Sequence, residues 1–241
     1  MKYFQMIAIT AFLLLLVPSV KAQKDSVKEQ LNQTNDWPNL RRYRSDNAKQ
    51  TAPSANENRV VFMGNSITDG WINVSPDFFK DKPYLDRGIS GQTTPQMLVR
   101  FRQDVIDLNP KVVVILAGIN DIAGNTGPSS LKMIEDNLAS MAQLAKANGI
   151  KVIMCSVLPA FSFPWRPGID PVQKIIDLNK WIKNFAEKNN FVYCDYYSAM
   201  VDDRKGLPEK YSKDGVHPNA DGYHIMEPIV EKSIVKALQK K

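Results

Sequence analysis

The sequence is poor in the residues on which many catalytic and scaffold chemistries depend. Two cysteines, Cys155 and Cys194, among 241 residues are too few for a disulfide framework or a four-cysteine zinc site. Histidine is as scarce. His217 and His224 are the only two, so any imidazole base must be one of them. There is no His-Glu-x-x-His pair and no second histidine near His217, so neither a metal nor another cofactor is expected. The Gly-x-Ser-x-Gly elbow of the α/β-hydrolases is also missing. Charge of one sign is in little excess: the net charge is +6, and +4 once Lys2 and Lys21 are set aside. The basic run Arg41-Arg42-Tyr43-Arg44 reads as a solvated face, and nucleic acid is not expected as a partner. What is present, 44% hydrophobic and 23% charged residues, suits a soluble folded chain rather than a disordered one.

The apolar run from Ile7 to Val17 spans 11 residues, short of the roughly 20 that cross a bilayer. With Lys2 before it and Pro18 and Val20-Lys21-Ala22 after it, residues 1–22 read as a cleavable secretory signal peptide. The mature chain is expected to begin near Gln23, to be secreted or periplasmic, and to keep no integral membrane span. Residues 23–58 form a polar segment in which Trp37, Leu40 and Tyr43 suggest a short helix packing on the body. The folded domain is expected over residues 59–241.

From Arg59 onward, strand and helix patterns alternate. Short apolar runs at 60–63, 84–89, 111–117, 150–158 and 191–196 read as five strands, the third rich in β-branched residues and covered on both faces. Between them lie helix signals: Thr94 with Pro95 caps one, Ser129 or Ser130 opens a second, Asp170-Pro171 starts a third, and Asn219 caps the last. Such alternation with short connections predicts a three-layer α/β/α domain around a five-stranded parallel sheet. Cys155 and Cys194 fall in its core strands and read as buried free thiols.

In such sheets reactive groups collect beyond the carboxyl ends of the strands. Three segments sit there: Gly64-Asn65-Ser66-Ile67-Thr68-Asp69-Gly70-Trp71, Asp86 to Thr93, and Gly118-Ile119-Asn120-Asp121. A fourth, Asp214-Gly215-Val216-His217-Pro218-Asn219, precedes the final helix. Each has a plain structural reading: Ser66 a helix N-cap, Gly91 and Asn120 turn residues, Asp214 and His217 a surface turn. Together they fit acyl transfer. A serine hydroxyl attacks only when a base takes its proton, and a histidine does so when a carboxylate fixes its tautomer. Asp214, three residues before His217, is placed to do this, while the Ser66 N–H, the Gly91 N–H and the Asn120 amide can receive the oxyanion. Asp121 reads as a loop brace, and His224 as a structural residue of the last helix.

These four segments resemble, in order, the blocks of the SGNH (GDSL-type) hydrolase family over residues 59–227. The resemblance implies a flavodoxin-like sheet and an ester-hydrolysing activity on carboxylic esters, as in esterases, lipases and carbohydrate deacetylases. By motif, Ser66 is the nucleophile, Gly91 and Asn120 are oxyanion donors beside the Ser66 N–H, His217 is the base and Asp214 the third member of the triad. Gly64-Asn65-Ser66-Ile67 departs from Gly-Asp-Ser-Leu, and Asn65 is expected to keep the turn with a hydrogen-bonding side chain. Ile119 departs in the third block and bears on the pocket wall. The expected substrate is a small-molecule or glycan ester, with acetyl the acyl group. The alternatives are a lysophospholipase or platelet-activating-factor acetylhydrolase-like lipid esterase, and a non-catalytic glycan-binding protein on the same scaffold. The loop Leu158–Gly168, with Phe161, Phe163, Trp165 and Arg166, is placed either to shape the pocket or to pack as a lid.

Overall fold

The computed structural model describes residues 36–240. The expected signal peptide and the start of the mature chain lie outside the described residues. Five strands, β1 Val60–Gly64, β2 Tyr84–Gly88, β3 Val112–Leu116, β4 Lys151–Cys155 and β5 Val192–Cys194, form one sheet in the order β2-β1-β3-β4-β5. Every pairing is parallel, with Val60 opposite both Tyr84 and Val112.

Strand periodicity divides the core in two. Val61, Met63, Val113, Ile115, Val152 and Met154 point to one face. There they meet α3 (Thr94–Asp104), α5 (Leu131–Ala147) and α6 (Val172–Lys188), which follow α1 (Arg44–Ala48), α2 (Ser66–Val74) and the short α4 (Ile119–Ile122) in chain order. Val60, Phe62, Val112, Val114 and Ile153 point the other way, against α2 and, beyond the short α7 (Tyr197–Met200), against α8 (Ala220–Gln239). A sheet covered on both faces needs near-continuous apolar strands, and β1 and β3 are buried at every position.

The chain leaves β1 for β2 on one side, then crosses to β3 on the other. The strand order therefore reverses at β1/β3, and the crevice beyond the carboxyl ends of these two strands is where a ligand site is expected.

Several expected boundaries shift for local reasons. β4 stops at Cys155 because the Asn179 side chain takes over the backbone of Val157, accepting from its N–H at 2.7 Å and donating to its carbonyl at 2.9 Å. Helix α3 is capped by Thr93 in a capping box with Gln96 rather than by Thr94. The Thr94 N–H and hydroxyl instead both donate to Asp121. The short N-terminal helix falls at Arg44–Ala48, just past Trp37, Leu40 and Tyr43. Asn39 in the left-handed region and the Asp36 carboxylate, which accepts from the N–H groups of Leu40 and Arg41, make a turn there instead. Tyr43 is buried, and its hydroxyl donates to the Gly88 carbonyl. Cys155 and Cys194 are opposite each other across β4 and β5, both free and buried.

Candidate active site

The turn after β1 is made possible by close packing at Gly88. A Cβ there would sit 2.0 Å from the backbone nitrogen of Asp69, so only glycine lets the first turn of α2 rest on β2. Ser66 begins α2, where its N–H has no intrahelical partner. Asn65 departs from expectation. The turn survives, but the buried Asn65 side chain has no hydrogen-bond partner. The backbone holds the turn instead: Asp69 N–H donates to the Asn65 carbonyl at 2.8 Å, and Tyr223 of α8 donates to the Ile67 carbonyl at 2.7 Å.

Ser66 and His217, 151 positions apart, meet at 2.9 Å between Oγ and Nε2. His217 Nδ1 lies 2.7 Å from Asp214 Oδ2. The other Asp214 oxygen accepts from the Ser212 hydroxyl and from the N–H groups of Val216 and His217. Partial burial works to raise the Asp214 carboxyl, but the His217 ring and these backbone donors outweigh it and hold it at about 2. A carboxylate ionised to that depth only accepts, so Nδ1 carries the imidazole proton. In the neutral ring Nε2 is then the acceptor, and the Ser66 hydroxyl donates to it. This arrangement can take a proton from a serine as it attacks a carbonyl.

The expected oxyanion donors sit on the neighbouring loops. Gly91 has φ 78°, a left-handed conformation that glycine adopts without strain, and it is exposed. Asn120 is buried at the start of α4, its Nδ2 donating to the Gln92 carbonyl at 3.0 Å. The loop carrying Gly91 is tied to the serine turn at three points. Ile89 N–H donates to the Gly64 carbonyl at 3.2 Å. Asp69 Oδ2 accepts from the Ser90 N–H and hydroxyl. Arg100, wholly buried, donates to the Gly64 carbonyl at 2.9 Å, to Gln92 Oε1 at 2.6 Å and to Asp104.

The bracing roles of Arg100 and Asp69 were not read from the sequence. The available signal was Arg100 and Asp104, a charged pair at i, i+4 on the face of α3 that also carries Met97 and Phe101. Asp121 braces its loop as expected through Thr94, and burial lifts its carboxyl to about 6 against the hydrogen bonds from Thr94. His224 is exposed on α8. Among the described residues no three His, Cys, Asp or Glu side chains gather as a metal would need.

The sequence matches the model of the GDSL-like lipase/acylhydrolase family over residues 62–225. The chain belongs to that family. Its SGNH hydrolase fold is shared with the crystal structure of a GDSL-like lipase from Bacteroides thetaiotaomicron, which is 52% identical, covers 83% of this chain and 98% of its own, and superposes with a TM-score of 0.81. Esterase TesA of Pseudomonas aeruginosa is 27% identical over 180 residues, 71% of this chain and 81% of that protein. An acetylxylan esterase of Xylanibacter ruminicola is 25% identical over 219 residues, 76% of this chain but 44% of that longer protein. This acylhydrolase is an ester-hydrolysing enzyme. No helix among its described residues is long and apolar enough to cross a membrane.

A second carboxyl under the site couples stability to pH. Asp86 on β2 is buried; its Oδ1 accepts the Gly88 N–H at 2.7 Å, and its Oδ2 has no partner. Burial, aided by nearby Asp69 and opposed by the Gly88 N–H, Arg87 and Arg100, lifts it to about 7. In the unfolded chain it ionises near 4, so between these values the folded state keeps a proton that the unfolded state has lost. Stability therefore falls as pH rises from about 4 to about 7, by on the order of 4 kcal/mol from this group. Asp86→Asn cannot ionise and is expected to narrow the gap between melting temperatures at about pH 5 and about pH 8. An unchanged gap in thermal melts would contradict this account of Asp86.

Proposed function

We propose that the protein is an exported serine esterase that removes short acyl groups, acetyl above all, from acylated carbohydrates through an acyl-enzyme. The observation that carries this reading is the connected line Ser66–His217–Asp214, at 2.9 and 2.7 Å. Ser66 Oγ attacks the ester carbonyl carbon while His217 Nε2 takes its proton, and Asp214 stabilises the imidazolium. The oxyanion is received by the Ser66 N–H, the Gly91 N–H and an Asn120 amide hydrogen. As the tetrahedral centre collapses, His217 passes the proton to the departing alcohol. Water then attacks the acyl-serine with His217 again as base, releasing the acid and restoring Ser66.

Acetyl-sugar esters are favoured by the similarity to an acetylxylan esterase and by the signal-peptide pattern of residues 1–22. The test is hydrolysis of 4-nitrophenyl acetate, butyrate and octanoate beside acetate release from acetylated xylo-oligosaccharides. Preference for acetate with release from the oligosaccharide is expected. Octanoate preference without oligosaccharide turnover would favour a lipid ester instead.

A further inference from the structure

The catalytic line leaves the loop between β4 and α6 without a task, yet that loop places an aromatic ring against the base. Trp165 lies with its ring centroid 5.8 Å from that of His217, the planes tilted by 36°. Phe163 in the same loop is buried, whereas Trp165 keeps 39% of its surface exposed. The indole is nevertheless fixed. Its Nε1 donates to Asn125 Oδ1 at 3.2 Å, and Asn125 Nδ2 donates to the Gly91 carbonyl at 3.2 Å. Phe163 supports the ring at 5.3 Å between centroids, and the next residue, Arg166, donates to the Gly124 carbonyl. An exposed aromatic is thus tied at one edge to the oxyanion loop and set beside the base.

Proton bookkeeping decides which part of the substrate meets it. His217 gives its proton to the alcohol oxygen, so the alcohol portion of the ester lies against the imidazole, and a ring beside the imidazole borders the leaving group. A fixed, partly exposed indole presents a flat, electron-rich face. The C–H hydrogens along one side of a pyranose are weakly positive and coplanar enough to lie on such a face, while the ring's hydroxyls point outward to hydrogen-bond. Asn125 and Arg166 also line a groove of about 480 Å³ with Ser129 and Lys174, residue types that can hydrogen-bond sugar hydroxyls, and with the apolar Ile122, Pro128 and Ile169.

We propose that Trp165 is the platform on which the sugar ring of the departing alcohol stacks, and that it sets specificity on the leaving-group side. The inference rests on the carbohydrate-ester reading above. It is tested by kcat/KM for acetylated xylo-oligosaccharide and for ethyl acetate, whose alcohol is too small to use the indole. The comparison uses wild type, Trp165→Ala and Trp165→Phe. The ratio of the two values is expected to fall about tenfold in Trp165→Ala, chiefly through KM for the oligosaccharide, and to recover largely in Trp165→Phe, which keeps a flat ring. A loop that merely packs would lower both substrates together, and an unchanged ratio overturns the proposal. A wild type that turns over ethyl acetate but no sugar ester fails at the carbohydrate reading itself and takes the platform with it. A second measurement needs no alanine at this position. Titrating Ser66→Ala with the oligosaccharide is expected to change indole emission, and adding Trp165→Phe is expected to abolish that change. A change that persists also overturns the platform.

Discussion

Ser66→Ala is expected to lower kcat for 4-nitrophenyl acetate by on the order of 10⁴- to 10⁶-fold, leaving a fold whose thermal melt matches the wild type. The size follows from what is removed. In the proposed mechanism Ser66 supplies the atom that bonds to the acyl carbon, and no other group in the line can replace it. On the same proposal the environment remains: the Ser66 backbone N–H, Gly91 and Asn120 would still receive the oxyanion, and His217 would still activate water slowly. Ser66 is half-buried at the start of α2, and its hydroxyl meets only His217 among the described contacts, so its loss should cost little stability. Steady-state assays of both proteins, purified in parallel, check this. Comparable activity in the two would place the chemistry elsewhere.

Asp214→Asn is expected to have the second largest effect, a loss of on the order of 10⁴-fold in kcat with little change in fold. The asparagine can keep an acceptor oxygen for the Val216 and His217 N–H groups that Asp214 Oδ1 now satisfies. In place of Oδ2 it presents an NH₂ to His217 Nδ1. That donor forces Nδ1 to accept, moves the imidazole proton to Nε2, and leaves the Ser66 hydroxyl facing a donor. The carboxylate in the native protein is held at about 2, so no loss of activity above about pH 3 traces to its protonation. A variant retaining a tenth or more of the wild-type kcat would mean that Asp214 serves only the backbone turn.

The fold was readable because its strands and helices carry different periods. The β-branched run of β3 and the i, i+3, i+4 faces of α3, α5 and α6 leave little choice of element. Helix starts were readable where a side chain does the capping, as at Ser130 and Asn219, and where Asp170, just before the Pro171 cap, accepts the first helical N–H of Val172. They were misplaced where a tertiary contact intervenes. Thr94 looks like a cap beside Pro95, but Asp121, 27 residues away, claims its hydroxyl. Likewise Asn179 ends β4 from a distance that no local pattern encodes.

The candidate site was legible at the strand ends, because glycine turns and polar residues break the apolar pattern there. The meeting of Ser66 with His217 depends on α8 folding back against α2, where Tyr223 stacks on Trp71 at 5.2 Å. The supports were less visible. Arg100 is a single charged residue in an amphipathic helix, and its three acceptors come from three separate segments. Asn65 shows the opposite error, since a side chain expected to hold the turn makes no hydrogen bond at all.

The central claim is that acyl transfer passes through Ser66, and trapping the intermediate tests it most directly. The wild-type enzyme would be mixed with 4-nitrophenyl acetate, quenched in acid within the first turnover, digested and analysed by mass spectrometry. The account predicts one added acetyl group on the peptide bearing Ser66 and none on that peptide from Ser66→Ala. Release of 4-nitrophenol with Ser66 unmodified, or an acetyl group on another side chain that turns over at the steady-state rate, would contradict it.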